Sequence, residues 1–178
     1  MPGWAIAYVR RIEAVNYRLG RVVMYLLFVI MAILLWSSLT KMFRVPSLWT
    51  LEMAQFTLVA YYLLGAPYSM QMGANVRMDL LYARFSPRSQ AIWDVVTIFF
   101  LLFYLGVMLW GAVDSTTYSL SIGERAPSAW RPPMWPIKII ITLAFALMIL
   151  QAIAHLIRDI ALLRGVEIPR PFKEAVDR

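Results

Sequence analysis

Two long runs without a charged side chain limit what this chain can fold into. Val22–Thr40 and Val95–Val113 each contain 19 residues, most of them large and apolar. A helix of about 20 apolar residues spans the hydrocarbon core of a bilayer. Of the 178 residues, 61% are hydrophobic and 15% are charged, compared with about a quarter charged in soluble domains. Since lipid offers no partner to backbone amides, these runs predict an all-α integral membrane protein.

Helix start signals divide the rest of the chain into further spans. Ser47 follows Pro46 and can cap a second helix. The dipeptides SP at 86–87 and WP at 135–136 each place a proline in the first turn of a helix, where its missing amide proton is not needed. The first run follows arginines, as in a signal peptide, but it is too long and lacks a convincing cleavage site, so we expect it to be retained. The sequence predicts four transmembrane helices, at about residues 22–42, 47–70, 87–113 and 135–157.

The distribution of positive charges orients these helices. The net charge of +7 comes from basic residues scattered between apolar runs, which points to membrane lipids as partners rather than to nucleic acid. With both termini in the cytoplasm, the inner segments carry 12 Lys and Arg residues and the outer connections carry five. Short cytoplasmic loops are enriched in these residues, so the bias predicts that both termini are cytoplasmic. The membrane domain is expected at residues 1–165 and a cytoplasmic tail at residues 166–178.

Two segments outside the spans have the composition of membrane-surface helices. The first 21 residues combine Trp4 and aliphatic side chains with four arginines. Residues 77–85 carry an arginine stripe beside an apolar stripe at helical spacing. Amphipathic helices of this kind lie in the headgroup region. We therefore expect interfacial amphipathic segments at the N-terminus and between helices 2 and 3, with an ordinary solvated helix-loop as the alternative for residues 77–85.

The longest connection, residues 114–138, lies on the predicted outer side. It contains four prolines and two tryptophans and shows no helical periodicity. A loop of this length without secondary structure is usually functional or disordered. Its aromatic residues favour an ordered loop that docks a partner, and a passive loop resting on the membrane is the alternative.

Ionisable residues inside the spans are few, and none forms an arrangement that carries out chemistry. The chain has no Cys and one His, which excludes thiolate metal sites and a bis-histidine haem. We predict no catalytic residues, no cofactor-binding residues, no metal ligands and no enzymatic activity. Glu52 is the residue to consider, since a carboxylate inside a membrane marks function by default. Near the outer end of a helix it can cap that helix or bond a neighbour; the alternative is a proton or cation site.

A small-residue pattern closes the second span. Glycine or serine recurs there every four residues, and an Arg-x-Asp element follows. Small residues let membrane helices approach closely. We predict a helix-packing surface here, facing either another protein or this chain's own helices. With the carboxylate at the other end of the span, its members are Glu52, Gly65, Ser69, Gly73, Arg77 and Asp79.

Three segments resemble one family of membrane proteins. SLWTLEMAQF opens the second span, GAPYSMQMGANVRMDLL closes it, and GERAPSAWRPPMWPIK forms the outer connection. In motif order, size and number of spans, roughly residues 20–160 are similar to the small membrane subunit (DctQ-like) of TRAP transporters, the tripartite ATP-independent periplasmic class. Many members have His where this chain has Asn75, which removes any argument for a titrating group there.

The resemblance implies a multi-pass protein of the bacterial inner membrane that works with a large multi-span permease subunit and a periplasmic substrate-binding protein. The large subunit would hold the substrate and sodium sites, so this chain is expected to need no cofactor. An ion gradient, of sodium in the first instance, would drive uptake of an organic acid such as a 2-oxo acid or a dicarboxylate. The small subunit would brace the large one and contribute an outer docking surface. For that surface we expect Lys41, Arg44, Glu124, Arg125, Trp130 and Arg131.

Other functions fit parts of the sequence. A small four-helix proton-coupled exporter also carries one membrane Glu, although such chains are shorter and lack the outer loop. A membrane anchor or assembly subunit of another complex, such as a respiratory enzyme, would fit the number of spans. A haem-bearing anchor would need more than the one His of this chain.

Overall fold

The computed structural model describes residues 3–43, 45, 47–73, 87–163, 165, 166 and 168, apart from the side chains of 87–92 and 94. As predicted, the chain is helical throughout these residues, except for short turns and connections and one isolated antiparallel bridge. The interfacial segment predicted at 77–85 and most of the predicted tail lie outside the described residues. The five helices are α1 (Gly3–Val23), α2 (Leu26–Met42), α3 (Thr50–Met72), α4 (Pro87–Ile122) and α5 (Trp135–Leu163).

Helices α2 to α5 pack as a single row instead of a closed bundle. α2 contacts α3, α3 contacts α5, and α5 contacts α4, with no comparable contact between α2 and α4 in the described part of the chain. α3 and α5 run in the same direction. Met53 and Ile137 line one groove near the first turns of the two helices, and Nε2 of His155 lies 3.0 Å from the Met70 carbonyl oxygen near their last turns. α1 contacts both α3 and α5, so α3 and α5 each touch three other helices and together form the centre of the structure.

Three segments among the described residues are long and apolar enough to cross a membrane, namely Gly3–Met42, Val95–Ile122 and Trp135–Leu163. α3 has 23 residues and a length of about 35 Å, which exceeds the roughly 30 Å of a hydrocarbon core. Polar residues such as Glu52 and Gln71 make α3 less apolar than the three segments named above. Gln71 is buried inside the protein. The count of four spans and the cytoplasmic position of both termini stay predictions.

The N-terminal segment forms a helix that packs against the rest of the protein. A two-residue turn separates α1 from α2. Where α1 meets α3, a Cβ added to Gly20 would lie 2.4 Å from Cγ and 2.6 Å from Cβ of Tyr68. Only a glycine permits this approach, because real Cβ atoms do not come so near another heavy atom. The predicted placement of α1 at the membrane surface stays a prediction. Its buried face consists of Ala5, Val9, Glu13, Asn16, Gly20 and Val23.

Buried polar contacts hold α1 to α5. Nη1 of Arg158 donates to Oε1 of Glu13 at 2.5 Å, and Nδ2 of Asn16 donates to Oε1 of Gln151 at 2.7 Å. All four residues are at most 6% exposed. Charges removed from water are tolerated only when they are paired, so Glu13 and Arg158 depend on each other.

Small residues let the neighbours of α5 approach closely. Ala144, Ala152, Ala154 and Ala161 are fully buried. Ala154 and Ala161 form an apolar cluster with Val9 of α1 and with a residue beyond the end of α5. Helices in lipid gain little from burying apolar area, so close van der Waals contact of this kind is a main source of their association. Close packing inside this chain therefore centres on α5.

We expect removal of one member of the Glu13–Arg158 pair to destabilise the protein strongly. Glu13→Gln leaves the Arg158 guanidinium buried without a counter-charge, at a cost of roughly 3–5 kcal/mol. Replacing both residues by methionine removes both charges together and should restore most of the lost stability. Thermal unfolding of the purified protein in detergent measures the difference. Arg18→Met, at an exposed position of the same helix, is the control; if Glu13→Gln unfolds at the same temperature as this control, the pair does not carry the stability assigned to it.

Candidate functional site

The connection between α4 and α5 is a compact outer hairpin, residues 123–134. The amide of Ala126 donates to the Pro132 carbonyl oxygen at 2.9 Å, and the amide of Met134 donates to the Glu124 carbonyl oxygen at 3.0 Å. These bonds close the hairpin near its base and bring its two arms side by side. The hairpin therefore presents a defined surface at one end of the molecule, the end that the charge distribution predicts to be outer.

The hairpin is shorter than the loop that the sequence predicts, because α4 continues to Ile122 instead of ending near Val113. The added turns are rich in hydroxyl side chains that bond within the helix. Oγ1 of Thr116 donates to the carbonyl one turn earlier at 2.6 Å and lies 3.0 Å from the Thr142 hydroxyl of α5. Such back-bonding satisfies polar side chains on a helix, so their presence does not mark a loop here. Gly123 then ends α4 in a left-handed conformation, with φ of 61°.

An ion pair ties the outer hairpin to α5. The Lys138 ammonium group bonds the Glu124 carboxylate. The same ammonium group donates to the Ser115 carbonyl oxygen of α4 at 3.4 Å. The hydrogen bond from Lys138 is the main cause that holds the pKa of Glu124 below its usual value. Lys138 thus connects the base of the hairpin with both helices that flank it.

Three of the six predicted docking residues come together on the outer hairpin. Arg125, Trp130 and Arg131 are all exposed there. Arg131 has φ of 50°, in the left-handed region that residues with a side chain rarely adopt. Glu124 is at the base of the same hairpin, but its carboxylate is paired with Lys138. It therefore holds the hairpin to α5 instead of being free to contact a partner.

The connection between α2 and α3 is held by hydroxyl groups. The Thr50 hydroxyl lies 3.1 Å from Oγ of Ser37 and 2.9 Å from Oγ of Ser47. α3 begins at Thr50 rather than at the predicted cap Ser47, which instead reaches the helix start through this bond. Lys41, a predicted docking residue, is exposed in the last turn of α2. Arg44, the last of the six, lies outside the described residues.

Glu52 is half-buried in the first turn of α3, near the helix start where the sequence predicts it. Its Oε2 atom is buried and has no hydrogen-bond partner among the described residues. A carboxylate in the first turn is favoured by the helix dipole. In the part of the chain that the structure describes, no group of three or more His, Asp or Glu side chains could hold a metal ion. The role of Glu52 stays a prediction.

Two members of the predicted small-residue surface lie in the second half of α3. Gly65 and Ser69 line an open groove of about 430 Å³, whose walls include Tyr61 and Tyr62. A Cβ added to Gly65 would meet only Cγ1 of Val23, at an ordinary contact distance of 4.0 Å. The chain's own packing therefore does not require a glycine at this position.

The predicted line of small residues reaches its end at Gly73, which is the left-handed cap of α3. Its amide donates to the carbonyl oxygens of Ser69 and Met70, and its φ of 68° ends the helical repeat there. α3 continues through Pro67, which is buried. Arg77 and Asp79, the charged end of the predicted surface, lie outside the described residues.

A second groove, of about 420 Å³, lies beneath the outer hairpin between α2, α3 and α5. Its lining is almost entirely apolar and includes Trp130 and Pro132 of the hairpin, Phe56 of α3 and Ile137 of α5. The hairpin is therefore continuous with an apolar surface that extends along α2, α3 and α5.

The residues that fix α1, namely Glu13, Asn16 and Arg158, were not predicted from the sequence. Charge counting assigns Arg158 to the cytoplasmic side, whereas the structure buries its side chain. A signal exists, because Glu13, Asn16 and Gly20 fall on one helical face, as do Gln151 and Arg158. However, Glu13 and Arg158 are 145 positions apart, and no local pattern pairs the two faces.

We expect the outer hairpin to loosen when the Glu124–Lys138 pair is broken by substitution or by acid. The folded protein holds the pKa of Glu124 below its ordinary 4.5. The contribution of the pair is therefore complete above that ordinary value and is lost as the pH falls through the lowered pKa. Since the chain has no Cys, Ala129→Cys places a single spin label on the hairpin, and its mobility is measured by electron paramagnetic resonance.

At neutral pH, Glu124→Gln should give the mobile label that the unaltered hairpin gives only in acid. Asp114→Asn, which neutralises an exposed carboxylate of α4, should leave the label immobile. A label that stays immobile in Glu124→Gln would show that the pair does not hold the hairpin.

Comparison with known proteins identifies the family. The profile described as "Tripartite ATP-independent periplasmic transporters, DctQ component" matches residues 30–162. The chain is also 27% identical over 111 residues to the isethionate TRAP transporter permease protein DctMQ of Oleidesulfovibrio alaskensis. That match covers 62% of this chain and 17% of the relative's length, so the chain spans only a small part of that relative. No solved structure matches.

The profile match begins within α2 and ends in the last turn of α5, so it contains α3, α4 and the outer hairpin. It covers well over half of the chain and confirms the family that the sequence motifs suggested. The family is one of transporter components and not of enzymes. This membrane protein belongs to the DctQ component family of the tripartite ATP-independent periplasmic (TRAP) transporters.

Proposed function

We propose that the chain is the small membrane subunit that braces the large permease of a TRAP transporter and helps to dock the periplasmic substrate-binding protein. The observation that carries this proposal is the family match over residues 30–162, which contains the row of helices and the outer hairpin. A transporter-component family leaves the respiratory anchor and the independent exporter without support. In the proposed complex the chain lies in a bacterial inner membrane with both termini in the cytoplasm.

The exposed helix surfaces support a bracing role. α2 and α4 flank the row, and most of their side chains face outward. On α4, Phe99, Phe103 and Trp110 are each more than two-thirds exposed. Apolar surface on this scale marks contact with lipid or with another protein. A row that α1 covers only in part, across α3 and α5, is suited to lie along a larger partner, and it encloses no path of its own for a substrate among the described residues.

The outer hairpin supports the docking role. Two backbone hydrogen bonds close it, and the ion pair between Glu124 and Lys138 holds it to α5. Its exposed side chains therefore need little ordering when a partner binds. Its left-handed Arg131 is the kind of backbone outlier from which a functional role is inferred. Arg125 and Arg131 give the hairpin two positive charges beside the exposed ring of Trp130. Arginine and tryptophan are residues that commonly anchor protein interfaces.

The substrate and ion sites are assigned to the large partner. The DctMQ relative, an isethionate TRAP transporter permease protein, is much longer than the part that this chain matches. This supports a complex in which a larger component carries transport. For this chain we infer uptake of an organic acid, such as a 2-oxo acid or a dicarboxylate, driven by an ion gradient and most simply by sodium. No cofactor is assigned to the small subunit.

Co-purification tests the proposal most directly. The chain is expressed in its native host with an affinity tag, and the proteins that accompany it in mild detergent are identified by mass spectrometry. A large multi-span permease in comparable amount is the expected result, because a bracing subunit remains bound when no transport takes place. Purification of the chain alone, or with the subunits of a respiratory enzyme, would refute the proposal.

We expect charge reversal on the hairpin to impair uptake without impairing assembly. Arg125→Glu combined with Arg131→Glu changes the field that guides the substrate-binding protein, and such changes act mainly on the association rate. Uptake at limiting binding protein should fall by about tenfold in reconstituted vesicles, an order-of-magnitude figure for two surface charges. Arg125→Lys combined with Arg131→Lys keeps both charges and should retain most of the uptake. Unchanged uptake in the Glu variant, with the large subunit still bound, would remove the hairpin from the docking surface.

A further inference from the structure

α1 presents a face that is positively charged and has no negative charge. Arg10, Arg11, Arg18 and Arg21 are all exposed, and at 3.6 residues per turn they lie opposite the buried face of the helix. The only carboxylate of α1, on Glu13, is buried and neutralised by α5. The exposed face of α1 therefore carries four uncompensated positive charges of its own.

Apolar side chains lie beside these arginines on the exposed side. Trp4 is 70% exposed, Val22 is 67% exposed and Val15 is 51% exposed. A helix that offers a basic strip next to exposed apolar groups, including a tryptophan, has the surface of a segment that lies at a lipid interface. A soluble polyanion such as a nucleic acid would use the arginines but not the apolar strip. The same helix is joined by a two-residue turn to α2, within a segment that can cross the membrane, which places it at a bilayer.

The arginines fall into two groups along the helix. Arg10 and Arg11 are neighbours, and Arg18 and Arg21 are one turn apart, with about two turns or ~11 Å between the groups. The Arg21 guanidinium lies over the Tyr17 ring, 5.2 Å from its centre, in a cation–π contact. The contacts of α1 with α3 and α5 determine which face of the helix is exposed. Each group can therefore meet a separate phosphate without rearrangement of the helix.

We infer that this basic face of α1 is a binding site for anionic phospholipids, with one headgroup phosphate at each pair of arginines. The inference goes beyond the transporter role and does not depend on the identity of the protein partners. The interaction is electrostatic at a membrane surface, so it weakens as salt is added.

The test uses the full-length protein, purified alone in uncharged detergent at low salt. Binding of phosphatidylglycerol and phosphatidylcholine that carry the same labelled acyl chain is measured by titration. The unaltered protein should bind phosphatidylglycerol more tightly. Each arginine near an anionic surface is worth roughly fivefold, so Arg10→Gln with Arg11→Gln, or Arg18→Gln with Arg21→Gln, should weaken phosphatidylglycerol binding by up to about 30-fold. Phosphatidylcholine binding should change little.

Two controls separate charge at this face from other effects. Arg125→Gln with Arg131→Gln removes the same charge from the outer hairpin and should leave lipid preference unchanged. Replacing all four α1 arginines by lysine keeps the charge and should keep the preference, even where a glutamine variant folds poorly. The inference is overturned if both glutamine pairs retain the preference within twofold, if the hairpin control loses it equally, or if the lysine variant loses it. Because no permease is present, these results are independent of the co-purification that tests the transporter role.

Discussion

The contact between Glu13 and Asn16 of α1 and Arg158 and Gln151 of α5 is the constraint on which the arrangement of the helices depends. Helices in lipid gain little from burying apolar surface against one another, so polar bonds and close packing must hold them together. This contact brings α1 across α3 and α5, which are the two helices that join the halves of the row. At Gly20 the same helix approaches Tyr68 of α3 so closely that only a glycine fits. Without α1, the two inner helices would be joined mainly by their own contacts and by the bond from His155 to the Met70 carbonyl.

The helices themselves could be predicted because a membrane imposes a simple rule on sequence. Long uncharged runs must be helical, and their ends are marked by proline, glycine and charge. The same rule explains where prediction stopped short. The polar composition around Thr116 predicts a loop, yet the Thr116 hydroxyl is hydrogen-bonded within α4 and to α5. Helix ends in polar segments therefore depend on bonds that composition does not reveal.

The tertiary contacts could not be predicted for a different reason. Gly65 and Gly20 look alike as glycines within helical segments, but only Gly20 is required by a neighbour in this chain. Which glycine is needed depends on which helices cross, and that information is spread over the whole sequence. Similarly, the sequence identifies Arg158 only as a basic residue near the predicted cytoplasmic boundary. Its pairing with Glu13 of α1 is visible only in the structure. The position of Arg125, Trp130 and Arg131 on one connection could be predicted, because they lie close together in sequence and need no distant partner. Their docking role stays a prediction.

The single row of helices has a mechanical consequence. Neighbouring helix axes are about 8–10 Å apart, so α2 and α4 are separated by roughly 24–30 Å across the row. A row of helices of that width exposes more apolar surface per helix than a closed bundle does. Shifting such a row along the membrane normal would carry the exposed apolar side chains at its leading end, such as Trp110, into water. The bilayer therefore resists displacement of the row along the membrane normal. In the proposed complex, a row held in this way can keep its position in the bilayer while parts of the large permease move against it.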